Sequence, residues 1–447
     1  MKLTNASQYL LKFMKSNMVK NNCLANTKLT NKTKTILTQI HGDLVSAHKA
    51  LHYLQKQHMN DTFYKMRITP IRNPSQIIKS STFHSHYLPK EVRAYIDQHS
   101  VCTLTYTFAI PIQTQTVITF RQVTIHFTVE EKDIEAHLDQ YNSYVEKIYV
   151  WLHIASRYAP AHCSKQVTLF FYFTPLGKQL PSSPVEVLDV IHVNTALTTS
   201  CAPSTEITLY RKEEWFKVLM HETFHNFGLD FSNMNNEECT LRMRKLFPVE
   251  SEVNLYEAYC EFWAETMNVA FCSFYSLKKK QQNDVGEFIA KFDAFMHMEI
   301  NYSLFQSVKI LHFMGLTYEA MHSPSEYAKT LRTTLYKENT NVLSYYVIRM
   351  VLLTHYQQTL AWCNEHNDSL LEFKKTASNQ RAFCDFIKQH YANKRTMNGI
   401  YCMQEVWRDL IIKYGAFTNA NANANTKIKA NTSFIMNNTR MTLCELG

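Results

Sequence analysis

Apolar side chains recur along the chain with two different spacings, and these spacings predict where helices and strands lie. Over residues 33–58 they recur every three to four positions, as they do on a helix that buries one face. Residues 102–110 and 117–129 instead alternate and are rich in Thr, Val, Ile and Phe, which is typical of two paired strands. The chain is therefore expected to combine helices with a sheet.

The pattern that follows predicts a helix over 132–158 and strands in two short apolar runs, 167–173 and 190–199. Residues 212–227 return to helical spacing, and Gly228 directly after them can adopt the left-handed conformation that ends a helix. Nearly everything further downstream also has helical spacing. The predicted fold class is thus α+β, with a mixed sheet first and a mainly helical part after it.

The length of 447 residues allows more than one folding unit, and the pattern changes near Pro89 and again near Glu250. A repeat of alternating Asn and Ala over 419–425 is of low complexity and predicts disorder near the C-terminus. The expected organisation is a mostly helical N-terminal extension over 1–90, an α+β unit over 91–250, a helical part over 251–415 and a disordered tail over 416–447.

Composition excludes several classes of function. The chain has only 8 glycines and no glycine-rich phosphate loop, so nucleotide chemistry of the P-loop or dinucleotide-binding type is set aside. The formal charge of +9 is spread along the chain, and the densest basic cluster is Lys278, Lys279 and Lys280. This distribution is typical of a solvated surface, so no nucleic-acid partner is expected.

Cysteine usage and hydropathy bear on the compartment of the protein. The 11 cysteines are scattered from Cys23 to Cys444 without CxxC spacing, and the lysine-bearing N-terminus does not resemble a signal peptide. We therefore expect reduced cysteines in a cytoplasmic protein that is not secreted. The best apolar run, 345–353, is interrupted by Arg349 and is much shorter than the about 20 residues that span a membrane, so no membrane association is expected.

The predicted helix over 212–227 contains His-Glu-Thr-Phe-His at 221–225, which fits the pattern HExxH. The i, i+4 spacing places His221 and His225 one turn apart on one helix face, where two imidazole nitrogens suit tetrahedral Zn²⁺. Glu222 points to a neighbouring sector, where its carboxylate can take a proton from a water that the ion activates. The motif therefore predicts a Zn²⁺-dependent hydrolase with Glu222 as general base.

A catalytic zinc site needs a third protein ligand, and a second predicted helix supplies acidic candidates. Glu257, Glu261 and Glu265 follow one another at i+4 spacing, so their carboxylates lie on one face. Their aromatic neighbours, among them Phe262 and Trp263, indicate burial. Buried carboxylates stacked in this way need cations or a metal ion to offset their repulsion, which favours a metal site.

An HExxH motif followed by a helix with Glu-x-x-x-Glu resembles the gluzincin branch of the zinc metallopeptidases. The segment Glu-Phe-Trp-Ala-Glu at 261–265 is similar to one found in the lethal-factor-like members of that branch. The resemblance implies that Glu261 is the third ligand and that Glu265 orients a ligand histidine. A second register stays open, with Glu257 as the ligand and Glu261 as the orienting residue. Both carboxylates are Glu here, whereas Glu followed by Asp is commoner in the branch.

The resemblance also implies a zincin-like α+β subdomain that hydrolyses peptide bonds in a polypeptide substrate. In that fold an extended substrate pairs with the strand before the motif helix, which by analogy is 191–199. Such enzymes usually add a side chain that donates a hydrogen bond to the developing oxyanion. Tyr345 and Tyr346 are the preferred candidates, because a polar stretch over 338–344 enters a strong helix there.

The Asn- and Lys-rich composition with scarce glycine is similar to that of metallopeptidases predicted in large cytoplasmic DNA viruses. That resemblance implies a viral protein in the host cytoplasm or the virion. The alternative function is a catalytically inactive zincin-like protein that serves as a structural or partner-binding module. The joint presence of His221, Glu222, His225 and Glu261 favours the active metallopeptidase, because the residues of a lost site would have drifted.

Overall fold

The structure is a computed structural model that describes residues 3–18, 23–24, 27–57, 62–113, 118–420 and 433–447. Its α+β architecture confirms the predicted fold class, with a six-stranded mixed sheet in the first half and a mainly helical second half. None of the helices in these ranges is long and apolar enough to cross a membrane. The strands are β1 Lys65–Pro70, β2 Cys102–Gln113, β3 Ile118–Val129, β4 Gln166–Tyr172, β5 Ala196–Thr198 and β6 Ser204–Leu209.

The structure confirms the long helices predicted over 33–58, 132–158 and 212–227. They correspond to α2 Asn31–Gln57, α4 Leu138–Tyr158 and α6 Trp215–Asn226. Gly228 after α6 has a φ of 66°, the left-handed conformation expected of it. The helices are α1 Asn5–Met18, α2 Asn31–Gln57, α3 Lys90–His99, α4 Leu138–Tyr158, α5 Val190–Val193, α6 Trp215–Asn226, α7 Glu237–Leu246, α8 Leu255–Ser276, α9 Val285–Phe313, α10 Tyr318–His322, α11 Glu326–Leu335, α12 Arg349–Thr354, α13 Tyr356–His366, α14 Ala377–His390 and α15 Lys394–Ala420.

The strands lie side by side in the order β1-β2-β3-β4-β6-β5. The pairs β1–β2 and β2–β3 are antiparallel, β3–β4 and β4–β6 are parallel, and β5 pairs antiparallel with β6 at the sheet edge. β2, β3 and β4 confirm the strands predicted at 102–110, 117–129 and 167–173. The pattern does not predict β1 and β6, because β1 is largely exposed and β6 begins with the polar sequence Ser-Thr-Glu.

Two apolar cores cover the two faces of the sheet. On β4, Leu169 and Phe171 join the large main core. Their neighbours Phe170 and Tyr172 join a smaller core together with residues of α3. The side chains of β4 alternate between the faces, so both faces are covered. The main core contains α6, which packs against β6 and α8, and it runs without a break from α1 to the C-terminal segment.

The strand predicted over 190–199 is wrong in its first half. The Asp189 side chain accepts a hydrogen bond from Val190 N at 2.6 Å, and Asp189 N donates to His192 Nδ1 at 3.1 Å. This reciprocal capping starts the short helix α5 instead of a strand. The second half of the prediction corresponds to β5, which lies at the edge of the sheet next to the motif helix.

The predicted disordered tail is wrong for residues 433–447, which are ordered and largely buried. Two backbone N–H groups of this segment donate to Glu214, directly before α6, at 2.8 and 2.5 Å. Two others donate to Glu299 in α9, at 2.9 and 2.6 Å. The segment therefore ties together helices around the HExxH motif. Residues 421–432, which hold most of the Asn-Ala repeat, lie outside the described residues.

Four of the 11 cysteines form disulfide bonds, Cys23 with Cys402 and Cys163 with Cys201. The expectation that all cysteines are reduced is therefore wrong for these four. The paired residues lie 379 and 38 positions apart, so no local spacing indicates the pairing. The remaining seven cysteines are buried, which agrees with a packing role for them.

Candidate metal centre

The HExxH motif lies on α6, whose side chains are all buried between the sheet and the second half of the chain. Helical spacing brings His221 and His225 to the same face, with their Nε2 atoms 3.2 Å apart. Trp151 of α4 donates a hydrogen bond from Nε1 to Thr223 Oγ1 on the opposite side, at 3.0 Å. This contact sets the rotation of the helix, so both imidazoles face α8.

Glu257 on α8 completes a group of three converging side chains. Its Oε2 atom lies 3.1 Å from Nε2 of His221 and 3.4 Å from Nε2 of His225. All three side chains are largely buried, and each offers one ligand atom to the same point. The three residues can therefore hold a metal ion.

Each histidine also has a carboxylate group beside its Nδ1 atom. Nδ1 of His221 lies 2.8 Å from Oε1 of Glu261, and Nδ1 of His225 lies 2.6 Å from Oδ2 of Asp230. A carboxylate beside Nδ1 favours a proton on that atom and leaves the Nε2 lone pair available to a metal ion. Both Nε2 atoms consequently face Glu257.

This arrangement does not place Glu261, the preferred candidate for the third ligand, where the two Nε2 atoms meet. Glu261 lies on the Nδ1 side of His221, away from the point where the Nε2 atoms meet. Its other oxygen pairs with the buried ammonium group of Lys217. Glu257, one turn earlier on α8, takes the position opposite both Nε2 atoms. The register that was left open, with Glu257 as ligand and Glu261 as orienting residue, is the one that the geometry favours.

Glu265 does not orient a histidine, which corrects the second assignment drawn from the resemblance. Its Oε2 accepts a hydrogen bond from Nη2 of Arg349 at 3.1 Å, and its Oε1 accepts one from Oγ1 of Thr442 at 2.8 Å. Glu265 is fully buried one turn beyond Glu261. It therefore joins α8 to α12 and to the C-terminal segment.

Asp230 is a residue of the site that the sequence reasoning missed. The left-handed Gly228 reverses the chain after α6, so that Asp230 returns to the histidine it follows. Ser232 donates a hydrogen bond to the second oxygen of Asp230 at 3.0 Å, and Cys260 Sγ lies 3.7 Å from the first. An acidic residue two positions after the glycine that follows an HExxH helix is the signal that identifies it.

The face of the cluster opposite α6 opens into a cleft of about 640 Å³. Glu222 lines this cleft beside the two histidines, and burial raises the pKa of its carboxyl group, although the histidines act in the opposite direction. Leu197 and Thr198 of the edge strand β5 form part of the opposite wall. β5, Glu222 and the three converging side chains therefore border the same cleft.

The two tyrosine candidates lie in a π-helical segment, Leu343–Ile348, but they point in different directions. Tyr345 lines the cleft and donates a hydrogen bond from its hydroxyl group to Oε2 of Glu257 at 3.1 Å. Tyr346 donates to the backbone oxygen of Thr439 at 2.6 Å, inside the core. Tyr345 stays a candidate for contact with substrate, whereas the assignment of Tyr346 is corrected.

The charge balance of the cluster favours a cation. Burial alone would lower the pKa of His221, yet the carboxylates of Glu261 and Glu257 raise it to about 9. Burial would likewise raise the pKa of Glu257, but the two histidines hold it below its ordinary value. The carboxylates thus require positive charge at the imidazoles, which protons or a metal ion can supply.

Comparisons of the chain with known protein families, with curated proteins and with solved structures found no match. The chemistry of the site is therefore argued from its own atoms.

Proposed function

We propose that the protein is a zinc-dependent metallopeptidase of the gluzincin type, with His221, His225 and Glu257 as ligands. One observation carries the proposal. The three ligand atoms lie 3.2, 3.1 and 3.4 Å from one another. Ligand atoms of a tetrahedral zinc ion, with bonds of about 2.0–2.1 Å, are separated by about 3.3 Å. An ion therefore fits between these atoms without movement of α6 or α8.

The choice of zinc rests on the donor set. Two neutral imidazoles and one carboxylate form the ligand set of many catalytic zinc sites, whereas Mg²⁺ and Ca²⁺ prefer oxygen ligands. Zinc held there would supply Lewis acidity, which lowers the pKa of water and polarises the substrate carbonyl. The carboxylates of Glu261 and Asp230 fit the same role, because they keep both Nε2 atoms free for the ion.

Glu222 is the proposed general base. It follows His221 directly and lines the cleft, so its carboxylate can accept a proton from a water molecule beside the ligand atoms. The same group can then return the proton to the amine that leaves when the peptide bond breaks. Burial in the cleft wall shields this proton from bulk solvent.

The edge strand β5 and Tyr345 supply the contacts to a polypeptide. β5 pairs with β6 on one side only, so its other edge can accept the backbone of an extended substrate. Such pairing recognises backbone and not one particular side chain, which suits a peptidase. Tyr345 lies across the ligand atoms, where its hydroxyl group can donate a hydrogen bond to negative charge that develops on the substrate.

The proposal is tested by two measurements on the same purified proteins: zinc content by elemental mass spectrometry, and cleavage of an unfolded protein by peptide mass mapping. We expect about one zinc bound at these ligands and cleavage in the wild type. Glu222→Gln should keep the metal and lose cleavage, and Glu257→Ala should lose both. Glu252→Gln is the matched control, because it removes an exposed carboxylate at the rim of the same cleft.

Two outcomes would overturn the proposal. A folded wild type that binds no zinc at these ligands would remove the metal centre. A wild type that binds zinc but cleaves none of a diverse set of unfolded proteins would favour the inactive partner-binding module instead.

A further inference from the structure

A second cluster of reactive side chains packs against the turn that follows the C-terminal end of α6. Cys163 and Cys201 are disulfide-bonded, with their Cα atoms 4.9 Å apart. The Nε2 atom of His162 lies 3.6 Å from each sulfur atom. The other disulfide, between Cys23 and Cys402, joins residues 379 positions apart and provides an internal comparison.

The two sulfur atoms differ in their access to solvent. Cys163 is fully buried, Cys201 is partly exposed and His162 is exposed. A soluble thiol or disulfide can therefore reach Cys201 first, while Cys163 is protected behind it. This asymmetry is the arrangement in which one cysteine exchanges with a partner and the second resolves the mixed disulfide.

The cysteine pair connects the edge strand β5 to the end of the HExxH helix. Cys201 lies in the turn between β5 and β6, and Cys163 precedes β4. Both pack against Gly228, where an added Cβ would meet Cys163 Sγ at 3.0 Å and Cys201 Cβ at 3.2 Å. Gly228 closes the turn between His225 and the Asp230 that orients it.

Asn226, the last residue of α6, forms a second connection in parallel with the disulfide. Its Nδ2 donates to Thr198 Oγ1 and to the backbone oxygen of Thr199, both at 3.1 Å. Its Oδ1 accepts hydrogen bonds from Ser164 at 2.8 Å and from Thr205 at 2.9 Å. Without the disulfide, β5 would depend on these bonds, on three residue pairs with β6 and on the hydrogen bonds of Thr198 and Thr199 with the backbone of Glu206.

We propose that Cys163, Cys201 and His162 form a thiol–disulfide exchange site that fastens the edge strand β5 to the C-terminal end of α6. The oxidised pair holds the β5–β6 turn against Gly228 and so holds one wall of the cleft. Reduction releases the turn, and the wall is then held by Asn226 and by the contacts of β5 with β6. The exchange chemistry is independent of peptidase activity, and only its effect on cleavage rests on the proposed function.

The exchange balances with a low-molecular-weight disulfide as oxidant. His162 takes the proton of Cys201, and the thiolate attacks the oxidant, forming a mixed disulfide and releasing one thiolate. The Cys163 thiol loses its proton to solvent, and its thiolate attacks the Cys201 sulfur. This step forms the protein disulfide and releases the second thiolate. Two cysteine thiols are oxidised, one disulfide is reduced to two thiols, and reversal of the steps reduces the protein.

The test equilibrates the full-length native protein in glutathione buffers of graded thiol-to-disulfide ratio, followed by alkylation and peptide mass mapping. We expect Cys163 and Cys201 to interconvert between thiol and disulfide in the folded protein. His162→Gln should slow the exchange by about tenfold without preventing it, because less of Cys201 is then thiolate. Cys23 and Cys402, measured in the same digests, should exchange at a rate that His162→Gln does not change.

Hydrogen exchange provides the second measurement. Reduction of the wild type should increase exchange in residues 196–209, and Cys201→Ser should show the same increase without reductant. His221→Ala should leave the thiol chemistry unchanged, so failure of the peptidase proposal is distinguishable from failure of the thiol–disulfide exchange site. Absence of reaction at Cys163 and Cys201, or unchanged exchange over 196–209, would overturn the proposal. Binding of a further zinc ion that needs both cysteines and His162 would replace it by a metal site.

Discussion

The Nδ1 atom of His225 lies 2.6 Å from Oδ2 of Asp230, only five residues further along the chain. The contact exists because Gly228 turns the chain back on itself directly after α6. A carboxylate at this position holds the imidazole ring in one orientation and keeps Nε2 free of its proton. In the proposed metal site Asp230 would thus act through His225, as a positioning residue.

Asp230→Asn should lower zinc affinity by about 10–100-fold while the fold is kept, since the amide cannot hold the proton of Nδ1 in the same way. Competition with a chromophoric chelator measures the affinity. Ser232→Ala is the control, because the Ser232 hydroxyl group donates to the other oxygen of Asp230, and it should change affinity much less. Equal affinity in Asp230→Asn and wild type would exclude this positioning role.

Glu257→Ala and Glu261→Ala separate the two possible registers of α8. The first should abolish stoichiometric zinc binding with little loss of stability. The second should keep zinc with weaker affinity and should lower the free energy of unfolding by about 3–5 kcal/mol, because it leaves the buried Lys217 ammonium group without its partner. Metal content and urea unfolding are measured together. Loss of zinc in Glu261→Ala alone would return the ligand role to Glu261.

Tyr345→Phe and Tyr346→Phe form a matched pair. We expect the first to lower kcat by about 100-fold with zinc still bound, because it removes a donor to the developing charge. The second removes a hydroxyl group that bonds only within the core, so it should leave kcat nearly unchanged and lower stability by about 1 kcal/mol. Steady-state kinetics and urea unfolding give both values. A similar fall of kcat in both variants would remove the role given to Tyr345.

Thr442→Val tests the buried C-terminal segment with little change in shape. The hydroxyl group of Thr442 lies 2.8 Å from Glu265 and 3.1 Å from Glu299. Thr442 is fully buried, so water cannot take the place of the hydroxyl group when it is removed. We expect the free energy of unfolding to fall by about 1–3 kcal/mol. Thr333→Val on the exposed face of α11 should change it by less than about 0.5 kcal/mol. Equal stability of the two variants would show that the segment contributes little.

His355 should make the protein less stable in acid. Burial, with help from His390 and Arg395, lowers the pKa of His355 to about 3. In the unfolded chain His355 takes up a proton near pH 6.5, whereas in the folded protein it does so only near pH 3. The contribution of neutral His355 to the free energy of unfolding is thus fully present above pH 6.5, and it is lost as the pH falls from 6.5 towards 3. The slope is at most about 1.4 kcal/mol per pH unit.

Urea unfolding at a series of pH values between 4 and 7 measures this effect. His355→Gln should reduce the slope of stability against pH, whatever it does to stability at neutral pH. A slope identical to that of the wild type would show that His355 does not carry the proton linkage.

The sequence alone determined the parts of the site that depend on one helix. The spacing of His221, Glu222 and His225 places them on neighbouring sectors of any α-helix, and the apolar pattern of 212–227 predicts that helix. The same reasoning identified α2, α4, β2, β3 and β4, because each buries a face that recurs with the period of its own backbone.

Tertiary structure decided every relationship between separate elements. Glu257 and Glu261 share one face of α8, so periodicity cannot say which of them stands opposite the histidines. The position of α8 along its own axis relative to α6 decides which glutamate faces the histidines. That position follows from packing over the whole core. The same holds for Tyr345 against Tyr346, for the pairing of Cys163 with Cys201 and for the burial of residues 433–447. The spacing of residues along the chain constrains the directions of side chains within one helix or strand. Distances between separate elements are set by the close packing of the core.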